Sequence, residues 1–514
     1  MRSLLLLLLT CLCAAGIEPS RIAIIYNADV PKSVELAKAY AKARDIPEEN
    51  LLAITPPDKD TLTRAEYIEH VQTPLRDLIT QRNWWTLGRQ PDGLVLPTSK
   101  EIDVLVTVRG IPFRIAREAS EAPPKEGEPA QPQNKANEAS VDSELSVLGI
   151  QGAPLPGALP NPYFDKDQDF SEANIPYVFL VSRLDGPTYE DCHRLYKDAI
   201  EVEKTGLWGL CYLDLSQKYP MGDQWLRTIA ATNALLGMPY VIDEHRMTYP
   251  ANYPMDGAAV YYGWYAHNFN GPFLNPNFKF KKGAVAVHLH SFSAAKLRNA
   301  KANWTGPTIA AGAAATVGNV YEPYLHMTHH FDRLHSRLIN GYTLVEASAM
   351  AMPVLSWQGL TIGDPLYRPF QHFDRITGEV TDADRPFRLI RAATKQFGKD
   401  EETYTTKLRT AAGEMQSGDI FESLGLKASR VKDWKVAEAF FGAAEAQFTE
   451  PAAKLRQQLH IVDMARRAER VPLAVQKLRT IEPTYADQPG ATAIKSLLTI
   501  LDPPAPPPAT PAKN

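Results

Sequence analysis

Short apolar runs alternate with amphipathic helical segments from residue 17 to residue 375. The run Arg21–Asn27 is followed by a helical pattern and then by the apolar letters LLAI, so a strand, a helix and a strand fall within about 35 residues. This alternation predicts an α/β three-layer sandwich with a mostly parallel sheet, in which ligands bind at the carboxyl ends of the strands. Further strands are predicted at Asp103–Val108, at Tyr177–Val181 and in runs that begin at Ala258, Gly283 and Pro307.

The strand patterns stop in the last quarter of the chain. From Thr403 to Leu498 the residues Ala, Leu, Lys, Arg and Glu dominate. The segments that begin at Ala428 and Ala465 align with an offset of about 37 residues, close to the ~34 of tetratricopeptide repeats. We therefore predict an α-helical, tetratricopeptide-like domain over residues 395–500. A plain helical hairpin packed on the main domain is the alternative.

Three segments are predicted to lie outside the folded parts. Residues 1–16 contain one early Arg, six consecutive leucines and a small-residue end, which is the pattern of a secretory signal peptide too short to be a membrane anchor. A lipid-bearing Cys11 or Cys13 is the alternative. Residues 118–138 and 501–514 are rich in proline or charge, and we predict a disordered loop and a disordered tail. The mature chain is expected to be exported, periplasmic or extracellular, with no transmembrane segment.

Composition excludes several classes of protein. The 514 residues are 44% hydrophobic, which is enough for a large core, and 55 basic against 59 acidic side chains give a net charge of −4. This balance argues against a nucleic-acid partner, since such binding depends on neutralising phosphates. Only Cys192 and Cys211 remain after the signal peptide, which excludes a disulfide framework and a cysteine zinc site. No cofactor is expected.

Two sets of motifs carry resemblances to known families. The runs YVFLVSRLDGPTYEDCHRLY, YYGWYAHN, VAVHLHS, PTIAAGAAATVGN and GDPLYRPF follow an order that resembles gingipain-type cysteine peptidases, whose fold is caspase-like. The runs SVDSELSVLG, NPYF, SRLDGPT, AVHLHSFSA, GNVYEPYL and PVLSWQGLTIGDPLYRPF, between residues 140 and 370, resemble an uncharacterised exported bacterial family that co-occurs with the exosortase protein-sorting system. The resemblances imply a caspase-like domain over residues 17–375 in a protein of the bacterial cell envelope.

The peptidase resemblance directs attention to two residues. Active members of that family use His-Gly after one strand and Cys after the next, whereas this chain has His267-Asn268 and Ser291 at those places. A hydroxyl lacks the thiolate that Cys offers near neutral pH and needs a general base. We therefore expect that the chain is not an active cysteine peptidase. It is predicted to be a non-catalytic binding or assembly protein for a protein, peptide or glycan partner, or else a diverged hydrolase using Ser291 and His267.

The other histidines suggest a metal-dependent hydrolase as a further alternative. His288 and His290 are two apart on a predicted strand, so both face one side and could ligate a metal together with a third residue. His326 and His330 have the i,i+4 spacing of a helical metal pair. No Glu follows His326, so the zinc-peptidase motif is absent and a solvated polar helix face is expected. No metal site is predicted.

The remaining pocket candidates are polar residues next to predicted strands. Asp142 and Glu144 either share one face of a short strand or begin a helix capped by Ser140. Arg183 is expected at a strand end, where it could pair with a carboxylate across the cleft. The predicted rim of the pocket, after a glycine-rich strand, consists of Asn319, Tyr321 and Glu322.

Overall fold

The computed structural model describes residues 16–118, 137–152, 157–245, 247–373 and 380–503. Nearly all of the predicted signal peptide, most of the predicted 118–138 loop and the tail from Pro504 onward lie outside these residues. No helix within the described ranges is both long enough and apolar enough to cross a membrane.

Strands and helices are interspersed up to Gly363, and within the described residues only helices follow. The strands are β1 Ile22–Asn27, β2 Leu51–Ile54, β3 Thr61–Leu62, β4 Trp85–Arg89, β5 Val95–Lys100, β6 Val104–Val108, β7 Arg114–Ile115, β8 Ala139–Ser140, β9 Leu159–Pro160, β10 Leu180–Leu184, β11 Cys211–Asp214, β12 Tyr240–Asp243, β13 Val260–Gly263, β14 Val285–His288, β15 Ala315–Asn319, β16 Val354–Leu355 and β17 Gly359–Gly363. The α-helices are α1 Pro31–Ala43, α2 Arg64–Tyr67, α3 Thr73–Gln81, α4 Val141–Leu145, α5 Tyr189–Val202, α6 Pro220–Leu236, α7 Thr305–Ala310, α8 Phe331–Ile339, α9 Leu344–Ala351, α10 Arg385–Phe397, α11 Glu401–Glu414, α12 Gly418–Arg430, α13 Trp434–Gln447, α14 Pro451–Arg467, α15 Val471–Ile481 and α16 Ala491–Leu501.

One sheet of ten strands organises the α/β part. Its order is β12-β11-β13-β14-β15-β17-β10-β6-β1-β2. Every pair of neighbours is parallel except β15 and β17, which run antiparallel. The sheet therefore has two parallel halves of opposite direction. The carboxyl ends of β11 to β15 lie at one edge, and those of β1, β2, β6, β10 and β17 lie at the opposite edge.

Helices cover both faces of the sheet, as the alternation in β1 illustrates. Ile22 and Ile24 belong to the apolar cluster that includes residues of α1 and α5, whereas Ala23 and Ile25 belong to the cluster that includes residues of α3 and α4. Successive residues of a strand point to opposite faces, so an all-apolar strand requires this double cover. The predicted α/β class with a mostly parallel sheet is confirmed.

The C-terminal helices share their core with the half of the sheet that β11 to β15 form. Tyr212 of β11 and Tyr240 of β12 belong to the same apolar cluster as residues of α11 to α16. The helices α13 and α15 begin at Trp434 and Val471, two positions that the sequence alignment pairs. The next paired positions are also equivalent, since each pair is fully buried: Ala437 with Ala474 and Phe441 with Leu478. The prediction of a C-terminal helical region is confirmed.

Two predicted strands differ from the structure. The run that begins at Pro307 opens as the helix α7, and its strand, β15, starts only at Ala315. A proline is tolerated in the first turn of a helix because that N–H has no helical partner. The strand predicted from Tyr177 begins at Leu180 instead. In both cases the apolar residues are compatible with a strand, and tertiary packing decides at which residue the strand begins to pair with its neighbour in the sheet.

Candidate functional site

A cavity of about 280 Å³ lies at the edge of the sheet where the carboxyl ends of β11 to β15 are found. Three neighbouring parallel strands, β13, β14 and β15, end there, and the segments that follow them form its walls. Carboxyl ends of parallel strands are the usual place for a ligand in such sheets. Its lining consists of Tyr219, Trp264, Tyr265, Leu289, Ser291, Glu322, Pro323, Tyr324, Leu325 and Thr328.

Aromatic side chains dominate one wall of the cavity. The ring of Tyr219 lies 5.8 Å from the rings of both Trp264 and Tyr265, centroid to centroid. Trp264 is buried, and its Nε1 donates a hydrogen bond of 2.7 Å to Asp223 Oδ1. The indole also lies against Gly222, where a Cβ would stand 2.2 Å from a ring carbon. This wall is therefore fixed from behind, while Tyr219 is 48% exposed at the opening.

Ser291 lines the cavity, and the adjacent His290 contacts a second imidazole, that of His267. His267 is exposed, and its ring is edge-on to that of His290 with 5.1 Å between centroids. His290 Nδ1 hydrogen-bonds to the backbone carbonyl of Ser291, so Nδ1 carries the proton and Nε2 is the acceptor of the neutral ring. Burial lowers the pKa of His290. Among the described residues, no hydrogen bond joins Ser291 Oγ to an imidazole.

His288 lies beneath the site and not within it. Its ring is stacked on Trp304 at 3.4 Å, its Nε2 accepts from the Ala266 amide at 3.1 Å, and its Nδ1 is 2.9 Å from Tyr261 Oη. Because a backbone N–H only donates, Nε2 is unprotonated and Nδ1 carries the hydrogen. Burial lowers the pKa of His288 well below its usual range. A neutral ring with both nitrogens occupied holds the loop that carries Tyr265 and His267.

The three predicted rim residues divide between lining and support. Glu322 lines the cavity, and its Oε1 accepts from the Tyr324 amide at 3.2 Å. Asn319 is buried behind the wall and donates from Nδ2 to Thr328 Oγ1 at 2.9 Å. Tyr321 is outside the lining, and its ring lies 5.9 Å from the guanidinium of Arg114.

Arg183, Asp142 and Glu144 belong to a different place. Arg183 is fully buried in β10, and its Nε donates to Asp142 Oδ2 at 3.0 Å. Its other nitrogens bond to Asp142, Asp185 and two backbone carbonyls, so every direction of the guanidinium is used. Glu144 forms an ion pair with Arg64 at 2.8 Å. These groups form buried ion pairs that fix α4 on the sheet.

The helix start predicted at Ser140 is confirmed. Ser140 is the N-cap of α4, and its Oγ accepts from the Ser143 amide at 3.0 Å. Asp142 and Glu144 thus lie in the first turns of a short helix, where carboxylates interact favourably with the helix dipole.

The remaining histidines do not form a metal site. His326 lies in a 3₁₀ turn and His330 precedes α8, so the two are not one turn apart on a single helix. The expected solvated face is also wrong, because His329 and His335 are buried and bonded to Ser348 Oγ and Asn233 Oδ1. In the part of the chain that the structure describes, no three His, Cys, Asp or Glu side chains are arranged to hold a metal ion.

The sequence predicted some members of this site but missed its aromatic wall. The predicted residues that the structure brings together at the cavity are Ser291 and Glu322. His290 is adjacent to Ser291 in the chain, and its ring contacts that of His267. The missed residues are Tyr219, Trp264, Tyr265 and Tyr324. The available signal was the aromatic cluster YYGWY, which continues past the end of a strand instead of stopping inside it.

Comparisons of the chain with known protein families, with curated proteins and with solved structures give no match. The proposals below rest on the geometry of the described residues and on the sequence.

Proposed function

We propose that this protein is an exported, envelope-associated binding protein whose Ser291 cavity holds a side chain of a partner polypeptide without cutting it. The observation that carries the proposal is the cavity itself: an aromatic wall and one carboxylate, beside a serine that has no hydrogen bond to an imidazole within the described residues. A volume of about 280 Å³ suits a single side chain or ring and not a drug-sized ligand.

The chemistry of the lining favours a cationic side chain. The faces of aromatic rings attract cations, and Glu322 supplies the full negative charge of the lining. Lys218 already lies over the Tyr265 ring, with Nζ 5.3 Å from its centroid, which is consistent with a cation-accepting wall. A Lys or Arg in an extended segment of the partner would satisfy both features. A glycan partner would use the same aromatic wall without needing Glu322.

A titration followed by tryptophan fluorescence tests this proposal, because Trp264 lies in the cavity wall. Short peptides containing one Lys or Arg should change the emission saturably, and peptides with Gln at that place should not. Tyr265→Ala and Glu322→Gln should each weaken binding about tenfold, while Glu48→Gln, an exposed carboxylate elsewhere, should leave it unchanged. Binding of neutral oligosaccharides that is insensitive to Glu322→Gln would contradict the peptide proposal and favour a glycan.

A diverged hydrolase is the second candidate, favoured because Ser291 lines the cavity and the adjacent His290 ring contacts the His267 ring. Imidazole and hydroxyl contacts are often long before a substrate binds. A fluorophosphonate probe separates the two candidates. The binding proposal expects no label, whereas labelling that is lost in Ser291→Ala and in His267→Ala would establish a hydrolase.

The finer fold assignment belongs to the same proposal. A caspase-like architecture is supported by the His267 and Ser291 segments, which follow the adjacent parallel strands β13 and β14 in the order of the resemblance. A tetratricopeptide-like character is supported by the equivalent starts of α13 and α15.

Export is supported by residues 1–16, and N-terminal sequencing of secreted material tests it, since a chain beginning at Met1 would contradict a cleaved signal peptide.

A further inference from the structure

A second and larger cavity, of about 580 Å³, lies between the α/β part and the C-terminal helices. It is bounded by the carboxyl end of α6, by α10, by the start of α11 and by α12. We propose that this cavity binds a small organic anion with a phosphate or carboxylate group and an apolar body. Its volume is within the range typical of small-molecule sites. The proposal is independent of the Ser291 cavity and of its function.

The charge of the lining is strongly positive. Four cations, Lys395, Lys399, Lys427 and Arg430, line this cavity together with one carboxylate, Asp400. That carboxylate is already engaged as the N-cap of α11, where it accepts from the amide and hydroxyl of Thr403. The chain as a whole has a net charge of −4, so a local excess of cations here is not a reflection of composition. Lys427 is paired with Glu401 and Lys395 has an interaction of its own, so the charges that an anionic ligand would balance are those of Lys399 and Arg430.

Arg430 provides the second observation. Its guanidinium lies over the ring of Tyr240, with 4.6 Å from Cζ to the ring centroid, which fixes its position. Its Nη1 is buried and has no hydrogen-bond partner in the described residues. Burial lowers the pKa of Arg430. A buried N–H donor left unpaired is costly, so an acceptor from a ligand fits this place.

The other residues that line the cavity indicate that the ligand also has an apolar body. Lys427 is held by an ion pair with Glu401, and its Nζ is 4.6 Å from the centroid of the Tyr404 ring. Lys399 is exposed at the cavity. Met238, Ile390 and Phe397 add apolar surface that an inorganic ion would leave uncovered. The combination matches an organic phosphate or carboxylate and not a bare inorganic anion.

Isothermal titration of the full mature chain tests the inference with four probes: naphthyl phosphate, naphthoate, naphthol and inorganic phosphate. We expect saturable binding of naphthyl phosphate or naphthoate, or both, and about tenfold weaker binding of naphthol and of inorganic phosphate. Whichever of naphthyl phosphate and naphthoate binds more tightly identifies the charged group of the ligand. Naphthol that binds as tightly as the anions would overturn the inference, and so would the absence of saturation with either anion.

Variants locate the binding. Arg430→Gln and Lys399→Gln should each weaken binding of the anionic probe about tenfold. Lys477→Gln, at a half-buried lysine of α15 outside the cavity, is the matched control and should leave the affinity unchanged. Lys399 is exposed, so its variant is expected to fold even if Arg430→Gln does not. Unchanged affinity in Lys399→Gln, together with unchanged affinity in a folded Arg430→Gln, would refute the assignment.

Discussion

Asp214 and Asp243 are register partners at the carboxyl ends of the parallel strands β11 and β12, and both side chains are buried. Asp214 Oδ2 accepts from Tyr261 Oη at 3.1 Å, and Tyr261 in turn contacts His288. Burial raises the pKa of both carboxyls, and burial together with the charge of Asp463 on α14 raises that of Asp243 to about 8. The pair therefore lies between the C-terminal helices and the hydrogen bonds that support the Ser291 cavity.

Asp243 is predicted to destabilise the fold at alkaline pH. Its folded pKa of about 8 is above the ~3.9 of an unfolded Asp, so its contribution is fully present below about pH 4 and is lost as the pH rises through 8. Asp243→Asn should remove this loss. In urea unfolding, the free energy of unfolding of the variant relative to that of the wild type should rise by about 2 kcal/mol or more between about pH 5 and about pH 9. Asp58→Asn, at an exposed position, is the control. Parallel profiles for Asp243→Asn and wild type would contradict the prediction.

His335 is predicted to destabilise the fold at acid pH. Its Nε2 donates to Asn233 Oδ1 at 2.7 Å, its Nδ1 is buried without a partner in the described part, and burial lowers its pKa to about 3. The stability that the neutral His335 ring contributes to the fold is fully present above about pH 6.5 and is lost as the pH falls through 3. His335→Gln keeps a donor without a titrating ring. It should lose about 2 kcal/mol less stability than wild type between about pH 7 and about pH 4, and equal losses would show that His335 is not responsible.

The ion pair between Glu422 and Arg456 is predicted to be essential to the helical region. Arg456 Nε and Nη2 each donate to one carboxylate oxygen of Glu422 at 2.7 Å, and both residues are buried. Arg456→Met should cost about 3–5 kcal/mol because the buried Glu422 carboxylate loses its guanidinium and keeps His460 Nε2, 2.9 Å from Oε1, as its side-chain partner among the described residues. Adding Glu422→Met should recover much of that loss. The surface pair of Lys477 with Glu438 is the control, with about 0–1 kcal/mol for Lys477→Met. A double variant no more stable than the single one would contradict this explanation.

The two cysteines of the described chain are predicted to be unreactive. Cys192 and Cys211 are both fully buried, and burial raises the pKa of each thiol. The thiolate is the reactive form, so neither thiol should react with a reagent such as dithionitrobenzoate in the native protein, and both should react after unfolding. Rapid reaction of the native protein, with loss of ligand binding or of any activity, would reverse this expectation and reopen the cysteine peptidase interpretation.

Local chemistry made several features predictable. Apolar runs of the right length became β1, β6, β13 and β14, and the Ser140 cap started α4 where its side chain could satisfy a free amide. The histidines between His326 and His335 could not be predicted in this way. Whether an imidazole is solvated or bonded inside the core depends on distant residues such as Asn233 and Ser348.

The sequence by itself determined the α/β class, the helical C-terminal region and the strand ends where Ser291 and Glu322 stand, because these depend on periodicity and on turn residues close in the chain. Only the tertiary structure decided which strand ends meet. The antiparallel contact between β15 and β17 reverses the direction of half of the sheet, so Arg183 at the end of β10 lies away from the edge that carries Ser291. That contact joins residues about 45 positions apart, and its choice depends on the packing of the whole sheet and not on any local pattern.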